Sequence, residues 1–391
     1  MSTLGRKLRF RGIPVWQDIS DLGSGSTEAQ IRAALTNPTM ASAVVWITPE
    51  VLGSAVIRGV EVPLMVKRVN NRDGFFAIMA AAGGLDYDQA AVAAAENLGL
   101  DDLHFWNLHR VTGDPAPPGE IGKVARLVLR HRLDAVHAAA LAGATLELGL
   151  YVRHAAPLEP GASMQLDWYE AFDGRHAAEE VWESELLSAL RDVYLETAAR
   201  APGHPILAHG QPTLAAAVAL GHTFSATAGI PLAWQQLGPG GPEGVWSLAV
   251  RRESSGYTAT FVDHDPAADG LAVIVSVAQS GRLAFGRAGA VPKMRAVVEI
   301  FHPDPAPPRL SAGQASDVAY LVIEAVKEAR RRYVGLSETH LFLACPAGLA
   351  VLIGQFLNAL GPVVVYEHDD SDAIGRYSRE VRLLPAGSRS H

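Results

Sequence analysis

The stretch that decides the fold is HLFLACPAGLAVLIGQFLNALGPVVVYEHD, residues 340–369. No charged side chain occurs from Leu341 to Tyr366, although 19% of the whole chain is charged. A run of this kind is typical of a membrane span, of a buried piece of core, or of a binding loop between two buried elements. Its helix-breaking residues distinguish these alternatives.

Residues that interrupt a helix are spread along this run. Pro346 comes early, Gln355 and Asn358 lie in the middle, and Pro362 follows a glycine near the end. A spanning helix needs roughly 20 apolar residues without such breaks, so the sequence argues against a membrane span. The short runs LFLA and VVVYE are typical of buried parallel strands. The stretch therefore predicts a βαβ unit with a strand at 341–344, a turn at 345–347, a helix at 348–360 and a strand at 363–367.

The same layout occurs once more, in HPILAHGQPTLAAAVALGHTFSATAGIPLAWQQL, residues 204–237. Each copy has an apolar strand ending in alanine (Ala208, Ala344), a turn with a proline, and an apolar helix with one glycine (Gly221, Gly354). A long amphipathic helix precedes each copy, at 178–200 and at 316–335. The repeat predicts two Rossmann-like halves, residues 146–250 and 257–385.

Composition sets the class of protein. A chain of 391 residues with 49% hydrophobic residues predicts a globular protein of two or three domains. The single cysteine fits a reducing cytoplasm, and the N-terminus lacks the apolar segment of a signal peptide, so we expect a cytoplasmic protein. The net charge of −8 argues against a DNA partner. No metal-ligand spacing is present, so we expect no metal.

The first third, residues 1–140, predicts a separate parallel α/β domain. Ser26 is expected to cap a helix that has Glu28 in its first turn. The predicted elements are strands at 12–16, 41–49, 74–85 and 101–111 and a closing helix at 119–136.

Within this third, Ser54 and Glu61 are seven residues apart and are predicted to share one face of a helix that starts near Pro49. Glu61 lies between valines, an apolar setting for a carboxylate. A solvent-exposed helix residue remains the alternative for Glu61. Trp16 and Trp46 can stack on a ring, although buried core positions are equally expected for both.

The order of GIPVWQD, the loop LGSGST, ASAVVWITPE and IRGVEVP resembles a bacterial TIR domain over residues 8–136. The resemblance implies a flavodoxin-like fold, a gating loop at Gln17–Thr27 that contains Asp18, and Glu61 as the catalytic residue of an NAD⁺ hydrolase. NAD⁺ is then substrate and no cofactor is expected. Nicotinamide leaves as a neutral amine, so a single carboxylate can suffice. A TIR domain normally begins with a strand and a helix, and the eleven residues before Gly12 suffice for the end of that helix only. Either the start is misplaced, or the first strand is absent from this protein, and its absence would remove part of the nucleotide pocket.

The repeat itself, with YSREVRL near residue 380, resembles a SAVED domain over residues 146–385. SAVED domains are the cyclic-oligonucleotide sensors of bacterial CBASS anti-phage systems and consist of two fused CARF-like halves. The resemblance implies that a cyclic oligonucleotide, which we expect to be cyclic tri-adenylate, binds across the halves. Binding then drives head-to-tail assembly, in filaments or smaller oligomers, which activates the TIR domain.

Candidate ligand residues follow from the two turns, where helix N-termini attract phosphates, and from a basic run at 276–298. That run contains Arg287 and Arg295 as well as three residues of the candidate set, and a solvated loop is the alternative for it. The candidate set is His209, Gly210, Gln211, Pro212, Thr213, Ser276, Arg282, Lys293, Ala344, Cys345, Pro346 and Ala347. Trp168, Tyr169 and Trp234 are candidates for base stacking, with core packing as the alternative.

Two functions remain open from sequence. The first is an NAD⁺ nucleosidase that a cyclic oligonucleotide activates. The second is a non-catalytic assembly module whose TIR domain is incomplete. A reactive thiolate at Cys345 is disfavoured, because no partner base stands beside it in the sequence.

Overall fold

The computed structural model describes residues 3–16, 26–37, 40–71, 74–81, 85–100, 108–111, 117–141, 143–157, 163–238, 241–289, 291–369 and 375–385. The chain divides into two compact units. The first comprises Met1–Leu141, Leu158–Ser163 and Leu195–Ala201, and the second comprises Ala142–Pro157, Met164–Tyr194 and Pro202–His391.

A three-stranded parallel sheet of order β1-β2-β3 organises the first unit. Apolar side chains from its first two strands and from helices α2, α4 and α5 form one core cluster that includes Ile47 and Met79. The strands are β1 (Ser42–Ile47), β2 (Phe76–Ala81) and β3 (Leu108–Arg110). The helices are α1 (Thr3–Phe10), α2 (Thr27–Thr36), α3 (Pro49–Leu52), α4 (Val62–Asn71), α5 (Tyr87–Leu98) and α6 (Pro118–Ala139).

Several predictions for this unit are confirmed and two are wrong. Ser26 caps α2 by accepting a hydrogen bond from the Ala29 amide, and α3 begins at Pro49. The strand predicted at 12–16 does not form. Gly12 has a φ of 79° and its amide donates to the Arg9 carbonyl, so the chain closes the end of α1 instead of extending.

The helix predicted to carry Ser54 and Glu61 on one face is interrupted. After α3 the chain turns at Gly53, and the Ser54 hydroxyl accepts a hydrogen bond from the Ile57 amide as a new helical segment begins. The turn Ile57–Glu61 is π-helical, with more residues per turn than an α-helix. The predicted shared face is therefore wrong, because seven-residue spacing aligns side chains only on a continuous α-helix.

The second unit contains two sheets that repeat one topology. In the first sheet the strand order is β5-β4-β6-β7-β8, and only β8 is antiparallel to its neighbour. Its strands are β4 (Leu146–Tyr151), β5 (Met164–Asp167), β6 (Ile206–Gln211), β7 (Leu232–Gly238) and β8 (Gly241–Ser247). The turns Glu179–Val181 and Trp182–Leu186 lead into α7 (Leu187–Arg200), and α8 (Leu214–Thr223) follows β6.

The second sheet has the order β14-β13-β12-β10-β11-β9. Its strands β10 to β14 repeat the pairing of β4 to β8, and the added edge strand β9 is antiparallel to β11. The strands are β9 (Thr258–Asp263), β10 (Gly270–Ser276), β11 (Met294–Phe301), β12 (Glu338–Ala344), β13 (Val363–Asp369) and β14 (Arg376–Leu383). The helices are α9 (Gly281–Gly286), α10 (Ala312–Arg332) and α11 (Ala347–Leu357). The predicted βαβ unit of residues 340–369 is confirmed.

The two glycines noted in the repeat are the crossing point of α8 and α11. A Cβ added to Gly221 would collide with the Val351 carbonyl oxygen, and one added to Gly354 would collide with the Val218 carbonyl oxygen. The two backbones therefore approach each other symmetrically, and this contact joins the halves through their equivalent helices.

The residue alignment of the repeat differs from the predicted one by three positions. The Gln211 carbonyl accepts hydrogen bonds from the amides of Val152 and Arg153, and the Ala344 carbonyl accepts equivalent bonds from Val277 and Ala278. The counterpart of Ala344 is thus Gln211, and the predicted match with Ala208 is wrong. Among the described residues, no helix is long and apolar enough to cross a membrane.

Candidate functional site

A cavity of 260 Å³ lies in the second unit, where the turns after β6 and β12 face each other. This is the carboxyl edge of the parallel strands, the position at which open α/β sheets bind ligands. The turns meet here because α8 and α11, which follow them, cross at their glycines. The cavity is lined by Arg153, Arg175, Pro212, Thr213, Leu214, Cys345, Ala347 and Glu367.

The N-terminus of α8 is occupied by a carboxylate from the other half. The Ala215 amide donates to Glu367 Oε2 at 2.9 Å, and the Ala216 amide donates to Thr213 Oγ1 at 3.3 Å. Glu367 lies near the end of β13, so a strand of the second half caps a helix of the first. Because an anion already fills this end of the helix, its amides are not available to a phosphate.

The N-terminus of α11 has the reciprocal arrangement. The Gly348 amide donates to Gln236 Oε1 at 3.1 Å, and Gln236 lies near the end of β7, the counterpart of β13. The Gln236 amide nitrogen in turn donates to the Leu237 carbonyl at 2.8 Å. At the second residue of each helix, the amide expected to attract a phosphate is therefore already bonded to a side chain of the other half. Of these two helices, only α8 has an acidic side chain at its N-terminus. Gln236 is neutral, so it does not offset the partial positive charge at the N-terminus of α11.

Glu367 is completely buried, and its two oxygens have different surroundings. Oε2 accepts the Ala215 amide, whereas Oε1 has no hydrogen-bond partner among the described residues and lies 3.6 Å from Arg175 Nη1. Burial raises the pKa of Glu367 to about 7, while the hydrogen bond from Ala215 and the charge of Arg175 oppose the rise. This carboxyl group therefore titrates near neutral pH.

A second buried carboxylate, Glu380 on β14, holds a segment of the first half. His176 Nδ1 contacts Glu380 Oε2 at 2.8 Å, and the Ala177 amide and Trp182 Nε1 each donate to Oε1 at 2.8 Å. The hydrogen bond to Glu380 raises the pKa of His176. These three contacts place the neighbouring Arg175 at the cavity.

Sequence comparison identifies the family of this unit. Residues 188–383, half of the chain, match the family described as SAVED, the SMODS-associated sensor domain fused to various effectors. The chain belongs to the SAVED family. A comparison with curated proteins gave no match.

Solved structures share the fold of the chain. The Acinetobacter baumannii Cap4 SAVED/CARF-domain containing receptor with the cyclic trinucleotide 3'3'3'-cAAA matches with a TM-score of 0.53 and 11% identity, over 95% of this chain and 100% of that chain. The same receptor with 2'3'3'-cAAA matches with a TM-score of 0.52, 11% identity and the same coverage. At these identities the likeness shows a SAVED/CARF-like α/β fold.

Four predicted ligand residues of the SAVED domain line the cavity: Pro212, Thr213, Cys345 and Ala347. Pro346, between two of them, occupies the N-cap position of α11 without a side-chain capping hydrogen bond. Burial raises the pKa of the Cys345 thiol, which favours the protonated form and so argues against a reactive thiolate, as the sequence also did.

Other predicted residues belong to the strands and not to the turns. His209, Gly210 and Gln211 complete β6, where His209 Nδ1 lies 3.4 Å from the Tyr151 hydroxyl. Gly210 has a φ of 126° and its Cα passes close to the Leu150 carbonyl, so no side chain fits there. Ala344 likewise ends β12.

The basic run at 276–298, predicted to bind phosphate, does not form a cluster of free cations among its described candidates Arg282 and Lys293. Arg282 pairs with Glu299 at 2.6 Å and Lys293 pairs with Asp265 at 3.3 Å. The guanidinium of Arg295 lies 5.3 Å from the centre of the Tyr333 ring. The acids that pair with Arg282 and Lys293 lie outside the run, so the sequence segment by itself appeared uniformly basic. Ser276, at the end of β10, accepts a hydrogen bond from the Gly281 amide.

Two of the aromatic residues proposed to stack on bases are core residues. Trp168 and Trp234 are buried, and Trp168 packs edge-to-face on Trp182. Tyr169 is 49% exposed. Core packing, the alternative reading, is therefore observed for both tryptophans.

The candidate residues of the N-terminal unit are spread over three elements. Glu61 ends the π-helical turn, Ser54 caps the start of the same segment, and Trp16 is 37% exposed. Trp46, on β1, packs against the cluster that contains Ala80 and Val111. Asp18 and residues 17–25 of the predicted gating loop lie outside the described residues.

Three polar residues of the cavity were missed from the sequence. Arg153 is the second residue after β4, which is a position that the parallel-sheet rule could have indicated. Glu367 is an acid within the apolar run VVVYEHD, and such an acid in a buried strand needs a partner. Arg175 lies in a loop about 190 residues from its partner Glu367 and carries no local signal.

Proposed function

We propose that this chain is a cytoplasmic anti-phage effector whose SAVED domain binds a cyclic oligonucleotide in the cavity between its halves. The observation that carries the proposal is the cavity itself, which combines two guanidinium groups, Arg153 and Arg175, with both interhalf turns. Guanidinium groups bind phosphate oxygens through paired, charge-assisted hydrogen bonds. A ligand with several phosphates can therefore bridge the halves.

Cyclic tri-adenylate is the ligand that we propose. Support comes from the shared fold of a receptor whose structures contain 3'3'3'-cAAA and 2'3'3'-cAAA. The cavity is smaller than the roughly 300–1,000 Å³ of pockets that enclose a drug-sized ligand. It therefore fits one nucleotide unit of the ring, while the remainder stays at the mouth.

We further propose that ligand binding drives head-to-tail assembly, which activates the N-terminal unit to hydrolyse NAD⁺ to nicotinamide and ADP-ribose. The support is the TIR-like order of sequence motifs together with a parallel sheet of order β1-β2-β3. Glu61 is the proposed catalytic residue, and it ends a π-helical turn, a feature that occurs frequently at functional sites. Its carboxylate would stabilise the oxocarbenium ion that forms as nicotinamide departs.

The second candidate is a ligand-dependent assembly module without catalysis. The observation that favours it is that residues 13–16 do not form the strand expected of a TIR domain, and that Trp46 is partly buried against the cluster of Ala80 and Val111. In this case the chain would polymerise with the ligand and leave NAD⁺ intact.

An NAD⁺ consumption assay separates the two candidates. The purified chain is incubated with NAD⁺, with and without cyclic tri-adenylate, and released nicotinamide is measured. The enzyme requires ligand-dependent release that falls at least 100-fold in Glu61→Gln. The matched control is Glu28→Gln, an exposed acid paired with Arg32, which should retain full activity. Nicotinamide release by Glu61→Gln at the wild-type rate would refute the catalytic assignment.

Assembly is measured separately by light scattering. Particle size should rise when cyclic tri-adenylate is added to the wild-type chain. Unchanged size with every cyclic di-, tri- and tetranucleotide tested would refute ligand-driven assembly.

A further inference from the structure

Glu367 is an acid where its counterpart in the first half, Gln236, is a neutral amide, and helix capping alone does not explain this difference. Both Gln236 and Glu367 lie near the end of equivalent strands, and each accepts a hydrogen bond from the second amide of the opposite helix. Gln236 shows that a neutral amide performs this task. A buried carboxylate is more costly, because burial penalises the charged form. Hydrogen bonding to the helix amide alone therefore does not account for a carboxyl group at position 367.

The unsatisfied oxygen indicates what that reason is. Glu367 lines the cavity, and its Oε1 has no hydrogen-bond partner among the described residues, whereas both polar atoms of the Gln236 side chain are bonded. Arg175 lies 3.6 Å from Oε1, beyond hydrogen-bond length. Oε1 is thus a buried acceptor without a hydrogen bond, on a residue that lines the cavity.

The chemistry of the ligand restricts that donor. Among the described residues that line the cavity, Glu367 is the sole acid, and a carboxylate repels phosphate. A carboxylate can bind a nucleotide favourably by accepting hydrogen bonds from N–H groups of the base, such as the amine of adenine or cytosine. Uracil presents carbonyl oxygens where these bases carry the amine.

We propose that Glu367 reads the base of a nucleotide bound in the cavity by accepting a hydrogen bond from its exocyclic amine, so that the SAVED domain selects amine-bearing bases over uracil. Phosphates of the same ligand bind Arg153 and Arg175, which draws Arg175 away from Oε1 and leaves that oxygen for the base. Glu367 is then a specificity-determining residue. This inference rests on the proposed function.

The test is a comparison of cyclic tri-adenylate with cyclic tri-uridylate by isothermal titration calorimetry. The wild-type chain should bind the adenylate ring at least about tenfold more tightly. In Glu367→Gln the side-chain oxygen still caps α8, and its NH₂ group replaces the acceptor at Oε1. The preference should therefore disappear or reverse. Gln236→Glu is the matched control, and it should weaken both rings by similar factors and leave their ratio unchanged.

A second arm needs no variant. A cyclic trinucleotide in which purine without the 6-amine replaces adenine should bind the wild-type chain at least about tenfold more weakly than cyclic tri-adenylate. Thermal unfolding establishes that each variant is folded before titration. Three outcomes would overturn base reading and leave the proposed function intact. Glu367→Gln could keep the wild-type preference for the adenylate ring, or it could lose affinity for both rings equally. The wild-type chain could also bind the amine-free ring with full affinity. Absence of binding of any ring to the wild-type chain would overturn both this inference and the proposed function.

Discussion

Substituting Glu367→Gln removes a buried charge while it keeps the oxygen that caps α8, and it should change how stability depends on pH. In the folded chain the pKa of Glu367 is raised from 4.5 to about 7 by burial. In the unfolded chain the group ionises with its ordinary pKa. Between these two values the folded state binds a proton that the unfolded state has released. Wild-type stability therefore falls, relative to the variant, as pH rises through this window.

The magnitude follows from linkage. For one group with these two pKa values, the free energy of unfolding of the variant, relative to that of the wild-type chain, should rise by about 2.5 kcal/mol from pH 5 to pH 8. The nearby charges, Arg175, Glu380 and His176, are common to both proteins, so most of their own titration cancels in the comparison. The direction of this change is diagnostic. If the folded state favoured the ionised form of Glu367, the wild-type chain would instead gain stability over the variant as pH rises.

The assay is urea unfolding of both proteins at pH 5, 6, 7 and 8, followed by tryptophan fluorescence. Trp168, Trp182, Trp234 and Trp246 are all buried in the same unit as Glu367, so they report on its unfolding. A difference between the two proteins that stays constant from pH 5 to pH 8 would refute the raised pKa. A wild-type chain that gains stability with pH relative to the variant would refute the buried-charge argument.

Further predictions concern the helix crossing, the second buried carboxylate and the cavity arginines. Gly221→Ala should lower the free energy of unfolding by about 1–3 kcal/mol, because its Cβ meets the Val351 carbonyl, whereas Gly286→Ala, which has open space, should change it little in the same urea titration. The contribution of His176 to stability should be present below pH 6.5 and lost as pH rises through its raised pKa. The difference in free energy of unfolding between wild type and His176→Gln should therefore be larger at pH 5.5 than at pH 8.5. Equal differences at the two pH values would contradict this. Arg153→Ala and Arg175→Ala should each weaken binding of cyclic tri-adenylate about tenfold and reduce its salt dependence. Arg282→Ala, whose guanidinium pairs with Glu299, should bind normally.

The sequence was sufficient where the chain follows local periodicity. The uncharged run 340–369 predicted the βαβ unit correctly, because only buried strands and helices tolerate so few charges, and the second copy gave the repeated topology. Gly221 and Gly354 were noted as shared features, and they prove to be the helix crossing.

The errors arise where tertiary contacts override local pattern. The alignment of the repeat was shifted because Gly210 lets β6 continue to Gln211, whereas the proline after it suggested an early turn. The basic run at 276–298 appeared unpaired because Glu299 and Asp265 lie outside it. Glu367 and Arg175 are partners that no local rule could connect.

The most direct test of the central claim is calorimetric titration of cyclic tri-adenylate into the wild-type chain and into the double variant Arg153→Ala/Arg175→Ala. We predict saturable binding to the wild-type chain and a loss of about 100-fold or more in the folded double variant. Binding of equal affinity to both proteins would contradict the assignment of this cavity, and no binding to the wild-type chain would contradict the proposed function.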